Sequence, residues 1–378
     1  MDKYALNSSK KSNILTIITV VILITTVFFI GLFSDKGTLH LIIDIILSLF
    51  LSFIVSIFIH EIGHLIFGLS SGYEFRSFKF LCFLSYRTTK KRCKIKFDFT
   101  PILGRLLMVP KDMENKKYKG YLSGGYIFNL IFFILNVGLS IFLYFAFKKI
   151  IPFTYMMAVV NLYLLFSNGI PLNINGIYND RLNIKLIDEN ILIKDLIFKQ
   201  LVLDSLMNNS SSIKEIDINL LEYDSLVDSK CNLNYPLDFY KTMYYFDIGY
   251  NDPFELVIKN HKRREYLPKL YQDLNIELTL LSNLLKRKEY RGLMNIKCYS
   301  NLFKKPDLSD PLIFLIFTLK DYRENEKTKE TTIELLTSID INNKKYFTSI
   351  EKEFFNNLYK YSIDLISEEG KNYENNSI

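Results

Sequence analysis

Tryptophan is missing from this chain altogether, and cysteine and histidine occur only four times each in 378 residues. Each scarcity closes off a class of chemistry. Cys82, Cys93, Cys231 and Cys298 form no C-x-x-C pair and no spacing of a disulfide framework, which excludes a cross-linked scaffold and leaves free thiols of a reducing compartment. A general basic surface is also missing. Residues 71–120 hold 13 Lys and Arg against 4 Asp and Glu, a net of +9, whereas the whole chain carries +7. The excess is one loop and the remainder is slightly acidic, which excludes a nucleic-acid-binding surface. No apolar run beyond residue 185 exceeds about a dozen residues, which excludes further membrane spans in the C-terminal half. No small-residue cleavage site follows the first apolar run, so that run is an uncleaved span and not a signal peptide.

What is present in place of these is hydrocarbon. Four segments, 14–33, 41–69, 121–147 and 152–170, are each apolar and long enough to cross a core of roughly 30 Å at about 1.5 Å per residue. The 13 basic residues after the second segment put that loop in the cytosol, and Lys3, Lys10 and Lys11 put the N-terminus there too. Four crossings then return the C-terminal half to the cytosol. Within the loop, "YEFRSFKFLCFLSYR" and "KRCKIKFDF" alternate at period two around "TTKK", which predicts a β-hairpin over 73–99 with an aromatic face at the membrane boundary. Farther on, "NILIKDLIFKQLVLDSLM", "ELTLLSNLLKRKEYRGLMNIKCYSNLF" and "EKEFFNNLYKYSIDLI" repeat apolar residues every three or four positions, as amphipathic helices do. The expected fold is therefore mainly α: a polytopic membrane helical core of about four spans with a small β-hairpin (1–184), then a cytosolic α-helical, tetratricopeptide-like domain (185–378).

Two of the four histidines fall inside the second span, in "IFIHEIGHLIFG", residues 57–68. A charged group at the centre of a bilayer costs about 2.5–3.5 kcal/mol on lenient scales, so a Glu with two His there needs an offsetting partner. His60 and His64 are one helical turn apart on one face, the arrangement that presents two imidazole nitrogens to one Zn²⁺ ion. Glu61, beside the first ligand, is placed to accept a proton from water and pass it to a leaving amine, the logic of H-E-x-x-H metalloproteases. The plain alternative is a pair of hydrogen-bonded core histidines.

A catalytic zinc needs a third protein ligand. "FSNGIPLNINGIYNDRLNI", residues 166–184, leaves the fourth span on the side where the second span ends, and Asp180 is the one carboxylate before Lys185. Irregular backbone with Pro and Gly at that depth suits a cavity wall. Asn129, in the third segment, is either a helix–helix hydrogen-bonding group or a substrate-positioning one. His40 and His261 read as interface and surface residues, and Asp44 as lying near the outer boundary.

"HEIGH" in a span, "GGYIFN" opening a later one and "NGIPLNINGIYND" after another resemble the site-2 protease family of intramembrane zinc metalloproteases, over roughly residues 41–185. The resemblance implies His60 and His64 as zinc ligands, Glu61 as general base and a third ligand within 168–180. Gly125 and Asn129 match the family's Gly-x-x-x-Asn feature, and Asn168 with Pro171 its Asn-Pro element, which implies substrate-positioning roles. The chain departs from the family pattern at Arg181, where a Gly usually follows the aspartate, and a shorter spacing would put the ligand at Asn175. Asp180 is preferred, because a neutral amide is a poor zinc ligand.

The expected function is an intramembrane metalloendopeptidase of a bacterial cell membrane. It would hydrolyse a small membrane-bound peptide or regulator, with the bilayer and a cytosolic partner of the helical domain as other contacts. Two alternatives stand beside it. One is a catalytically silent binding or immunity protein on the same scaffold. The other is a prenyl-protein-processing zincin, which would need more spans after the motif and a Glu ligand.

Overall fold

The computed structural model describes residues 3–32, 37–88, 92–99, 102–114, 117–174, 177–207, 210, 212–224, 232–249, 253–254, 269–286, 308, 310–324, 326–339 and 348–375. The chain divides into two compact units, 1–201 and 202–378. The helix that begins at Asp180 packs against the helices of the first unit.

That unit opens with α1 (Lys3–Leu32) and α2 (Thr38–Ser70). Gly72, at φ 84°, supplies the left-handed turn that sends α2 into β1 (Tyr73–Phe80). β2 (Phe83–Arg87), β3 (Cys93–Phe97) and β4 (Gly104–Pro110) complete an antiparallel sheet of order β3-β2-β1-β4. "TTKK" does separate two paired strands, β2 and β3. The preceding stretch, expected as one strand, folds on itself at Leu81–Cys82, with Leu81 at φ 54°. β4 escaped the period-two pattern because it is covered on both faces: Leu106 to Pro110 are all buried. A strand buried on both sides reads as a continuous apolar run. Phe83, Ile95 and Phe97, on β2 and β3, keep an exposed apolar face.

α3 (Tyr118–Phe147) and α4 (Pro152–Gly169) follow, the latter starting on a proline at its first turn, where no donor is lost. α2, α3 and α4 pack on one another, and α1 packs against α4. At the α2–α3 crossing the backbones touch, and a Cβ on Gly124 would lie 2.7 Å from the carbonyl carbon of Gly63. Three helices are long and apolar enough to cross a membrane: residues 11–32 of α1, all of α2 and all of α3. Their lipid-ready surfaces are rows of exposed Ile, Leu and Phe. The expected fourth span is α4, which falls short of that measure. It is 18 residues long, carries Asn161, Ser167 and Asn168, and buries Met156 to Asn161 against its neighbours.

Beyond α4, β5 (Asn173–Ile174) pairs with β6 (Ile177–Tyr178). Asn175 and Gly176, between them, lie outside the described residues. α5 (Asp180–Glu189) and α6 (Leu192–Leu206) bury Leu182, Ile184, Ile187, Leu196 and Phe198, and the Phe198 ring meets Tyr73 of β1 edge-on at 6.0 Å.

The second unit is helical among the described residues: α7 (Tyr235–Asp247), α8 (Lys269–Leu285), α9 (Pro311–Arg323), α10 (Lys329–Ser338) and α11 (Ser349–Asn375). Consecutive helices from α8 onward pack together and α11 also meets α7, around Leu281, Leu315, Leu319, Phe354 and Leu358. The described helices of this unit run from 10 residues (α10) to 27 (α11). Cys82 and Cys93 are free thiols; Cys231, Cys298 and His261 lie outside the described residues.

Candidate metal centre

α2 presents His60 and His64 one turn apart on its buried face, with ring centroids 4.8 Å apart. Their Nε2 atoms stand 3.2 Å apart. From the other end of the unit, Asp180 brings Oδ2 to 3.4 Å from His60 Nε2 and 3.3 Å from His64 Nε2. Ligand atoms about 2.0–2.1 Å from a tetrahedral zinc are separated by about 3.3–3.4 Å. The triangle of donors therefore has the edge length of a zinc coordination face, and these three residues can hold a metal ion.

The hydrogen bonds behind the rings decide which nitrogens face inward. His60 Nδ1 lies 2.7 Å from Asn129 Oδ1, and His64 Nδ1 lies 2.7 Å from the main-chain oxygen of Tyr121. Both partners are acceptors, so in each neutral ring Nδ1 carries the hydrogen and Nε2 carries the lone pair. Two lone pairs and a carboxylate oxygen then converge with no hydrogen to bridge them. Asp180 Oδ2 is buried without a hydrogen-bond partner. An orphaned buried oxygen of this kind calls for a cation.

Space for the ion comes from Gly125 on α3. A Cβ there would lie 2.5 Å from His60 Nε2 and 2.6 Å from His64 Nε2, in the space toward which both lone pairs point. Gly125 thus matters through what it leaves empty.

Asp180 reaches the site because the chain turns sharply just before it. The side chain of Asn179 caps α5 by accepting from Leu182 N–H at 3.0 Å, accepts also from Leu172 N–H at 3.1 Å, and donates to the main-chain oxygens of Ser167 and Ile170. One side chain thereby ties the end of α4 to the first residue of α5. At the other end of α5, Asp188 accepts from Tyr118 O–H at 2.5 Å and pairs with Lys119 at 2.9 Å. Those two donors hold its carboxyl below the usual range.

Glu61 points toward the sheet, not into the donor triangle. Its Oε2 accepts from Leu106 N–H at 2.7 Å, and Tyr121 donates its hydroxyl hydrogen to Leu106 O at 3.0 Å. β4 is the edge strand on this side, and its main-chain groups at Leu106 are covered by these two side chains. His60, Glu61 and His64 are all buried.

The remaining residues singled out from the sequence lie at differing removes. Asn129 is wholly buried and spends its carboxamide on His60, Ser56 O and Asn161, so it orients a ligand. Asn168 donates within the last turn of α4, to Leu164 O and Ser167 Oγ, and Pro171 sits in the bend that follows. Neither is among the donors. Sequence reading missed Asn161, Asn179, Tyr121 and Leu106. Asn161, a lone amide in an apolar stretch, gave the same signal as Asn129. Leu106 and Tyr121 act through the main chain and a hydroxyl, and left no signal.

No protein-family model, curated protein or solved structure matches the chain.

Proposed function

We propose that this protein is an intramembrane zinc endopeptidase, similar to the site-2 protease family, that cuts membrane-bound peptides or regulators. The observation that carries the reading is the convergence of two lone-pair nitrogens, on a helix fit to cross a membrane, with an orphaned carboxylate oxygen at 3.2–3.4 Å. The donor set, two imidazoles and one carboxylate, is that of a hydrolytic zinc site.

When bound, zinc lowers the pKa of water to about 7 and polarises a carbonyl. The chain's own residues do the rest. His60, His64 and Asp180 hold the ion, with Asn129 and Tyr121 O fixing the rings. Glu61, next in sequence to a ligand, takes a proton from the attacking water and delivers it to the leaving nitrogen. To do so its Oε2 exchanges the Leu106 N–H for water, which frees that N–H for a substrate backbone. An unwound substrate segment lies along β4 as an added strand, because a helix shields its own carbonyls. The exposed aromatic face of β2 and β3 rests at the membrane boundary. α4 is the fourth crossing, shielded by its neighbours. The basic loop holds the N-terminus, the active-site end of α2 and the C-terminal unit in the cytosol of a bacterial cell. The C-terminal helices, a tetratricopeptide-like array, dock a protein partner.

The test is metal content and peptide cleavage by the detergent-purified protein against Glu61→Gln. We expect about one zinc in both and cleavage reduced ~10²–10⁴-fold in the variant. Wild-type protein without a bound transition metal would overturn the reading. A metal-bound wild type that cuts nothing in its own membrane extract would leave the silent binding protein in its place.

A further inference from the structure

The two histidines hold their hydrogens in unlike ways. His64 Nδ1 faces the main-chain oxygen of Tyr121, a group that can only accept. His60 Nδ1 faces the carboxamide of Asn129, which is an acceptor at one end and a donor at the other. Turned by 180°, Asn129 would offer an N–H to His60 Nδ1. The hydrogen would then move to Nε2, and the lone pair that faces Asp180 would be gone. The choice between these states is not made at Asn129 itself.

It is made one helix farther out. Asn129 Nδ2 donates to Asn161 Oδ1 on α4 at 2.9 Å and, more weakly, to Ser56 O at 3.4 Å. Asn161 cannot turn to suit, because its own Nδ2 donates to Met157 O at 2.8 Å and to Ser56 Oγ at 2.9 Å. Both asparagines are fully buried, so no water stands by to satisfy a flipped amide. Turning Asn129 would set its oxygen against Asn161 Oδ1 and Ser56 O, two acceptors, and leave its N–H aimed at His60. An unmade or repulsive contact of this kind in a dry interior is strongly disfavoured.

We propose that Asn161 is the positioning residue that selects the metal-binding tautomer of His60, acting through Asn129. The inference rests on the metal-centre reading for its purpose but not for its test. A carboxamide backed by a second carboxamide sets the ring at His60, whereas a fixed backbone oxygen sets it at His64, so His64 is an internal control.

The experiment uses full-length protein in detergent, labelled with ¹⁵N at histidine, and reads the ring-nitrogen shifts in the metal-free state together with zinc affinity by chelator competition. In wild type both rings carry the hydrogen on Nδ1. In Asn161→Leu, His60 becomes a mixture of tautomers, His64 is unchanged, and zinc affinity falls ~10–100-fold, the usual consequence of losing an outer partner of a ligand. Asn161→Asp restores the wild-type His60 signal, because a protonated acid still accepts from Asn129 and donates in its turn. If the Leu variant does not fold, Asn161→Ala removes the same oxygen and carries the test. The inference is overturned if His60 keeps its wild-type tautomer, or if His60 and His64 shift together as general loosening would make them. Absence of zinc binding by wild type, with the tautomer change intact, would sink the enzyme reading and leave this one standing.

Discussion

In the first unit the buried polar side chains Ser56, His60, Asn129 and Asn161 come from three helices and bond mainly to one another, whereas in the second unit Thr242, Thr279, Thr332 and Ser362 each bond back to a carbonyl of their own helix, four residues earlier. Both patterns satisfy buried groups, but only the first transmits position from one helix to another. Among the described residues of the second unit, a cross-helix bond such as Tyr359 O–H to Pro311 O at 2.6 Å pins one helix to another. In the first unit the network ends at a cluster of lone pairs. A set of polar groups that agree on one location is therefore the better marker of a site than the number of polar groups buried.

The sharpest way to break this contrast is at the donors. Asp180→Asn and His64→Ala should each abolish cleavage and strip the metal, since either removes a charge or a nitrogen that no neighbour replaces. Asn175→Ala should keep both. Metal analysis and a peptide assay on the three variants decide it, and an active Asp180→Asn would mean that Asp180 serves only to pair with the histidines.

A smaller change tests the empty space. Gly125→Ala puts a methyl group between the two Nε2 atoms, where a displacement of about 1 Å can cost on the order of 10²-fold in activity. Gly138, on the same helix, has nothing within 4 Å of its added Cβ, so Gly138→Ala should leave zinc and cleavage as they are. Equal losses in both would point to helix α3 in general and not to the cradle at Gly125.

The least effect belongs to the second unit and should leave the metal untouched. Burial, then Asp310 and Asp273, raise the Glu277 carboxyl from 4.5 to about 8. A raised carboxyl stabilises the fold fully below its unfolded value, and that contribution is lost as pH rises through about 8. Thermal unfolding of the full chain should therefore show wild type losing stability between pH 5 and pH 9 relative to Glu277→Gln, with zinc content the same. A parallel pH response in the two proteins would remove Glu277 from the account.

Much of the site could be read before any fold was known. His60 and His64 follow from a spacing of four on a helix, and Asp180 is the one carboxylate in its stretch. The strand β4 could not be read, because an element covered on both faces loses its alternation. α4 was legible as an apolar segment, but its polar residues Asn161, Ser167 and Asn168 keep it below the measure that the other three long helices meet. Asn161 carried a signal equal to that of Asn129, but nothing local distinguishes an amide that ties two helices from one that reaches a ligand.

By itself the sequence determined what depends on near neighbours: which segments are apolar, which face of α2 carries the imidazoles, where the basic loop lies, and that a turn precedes Asp180. Only the tertiary structure decided what depends on residues far apart in the chain. His60 meets Asn129 across 69 positions, Asn129 meets Asn161 across 32, and Glu61 meets Leu106 across 45. Periodicity records the faces of an element, while these meetings depend on how closely two backbones approach, as at Gly63 and Gly124. That approach is set by the packing of whole helices, and it turns a spaced pair of histidines into a triangle of donors.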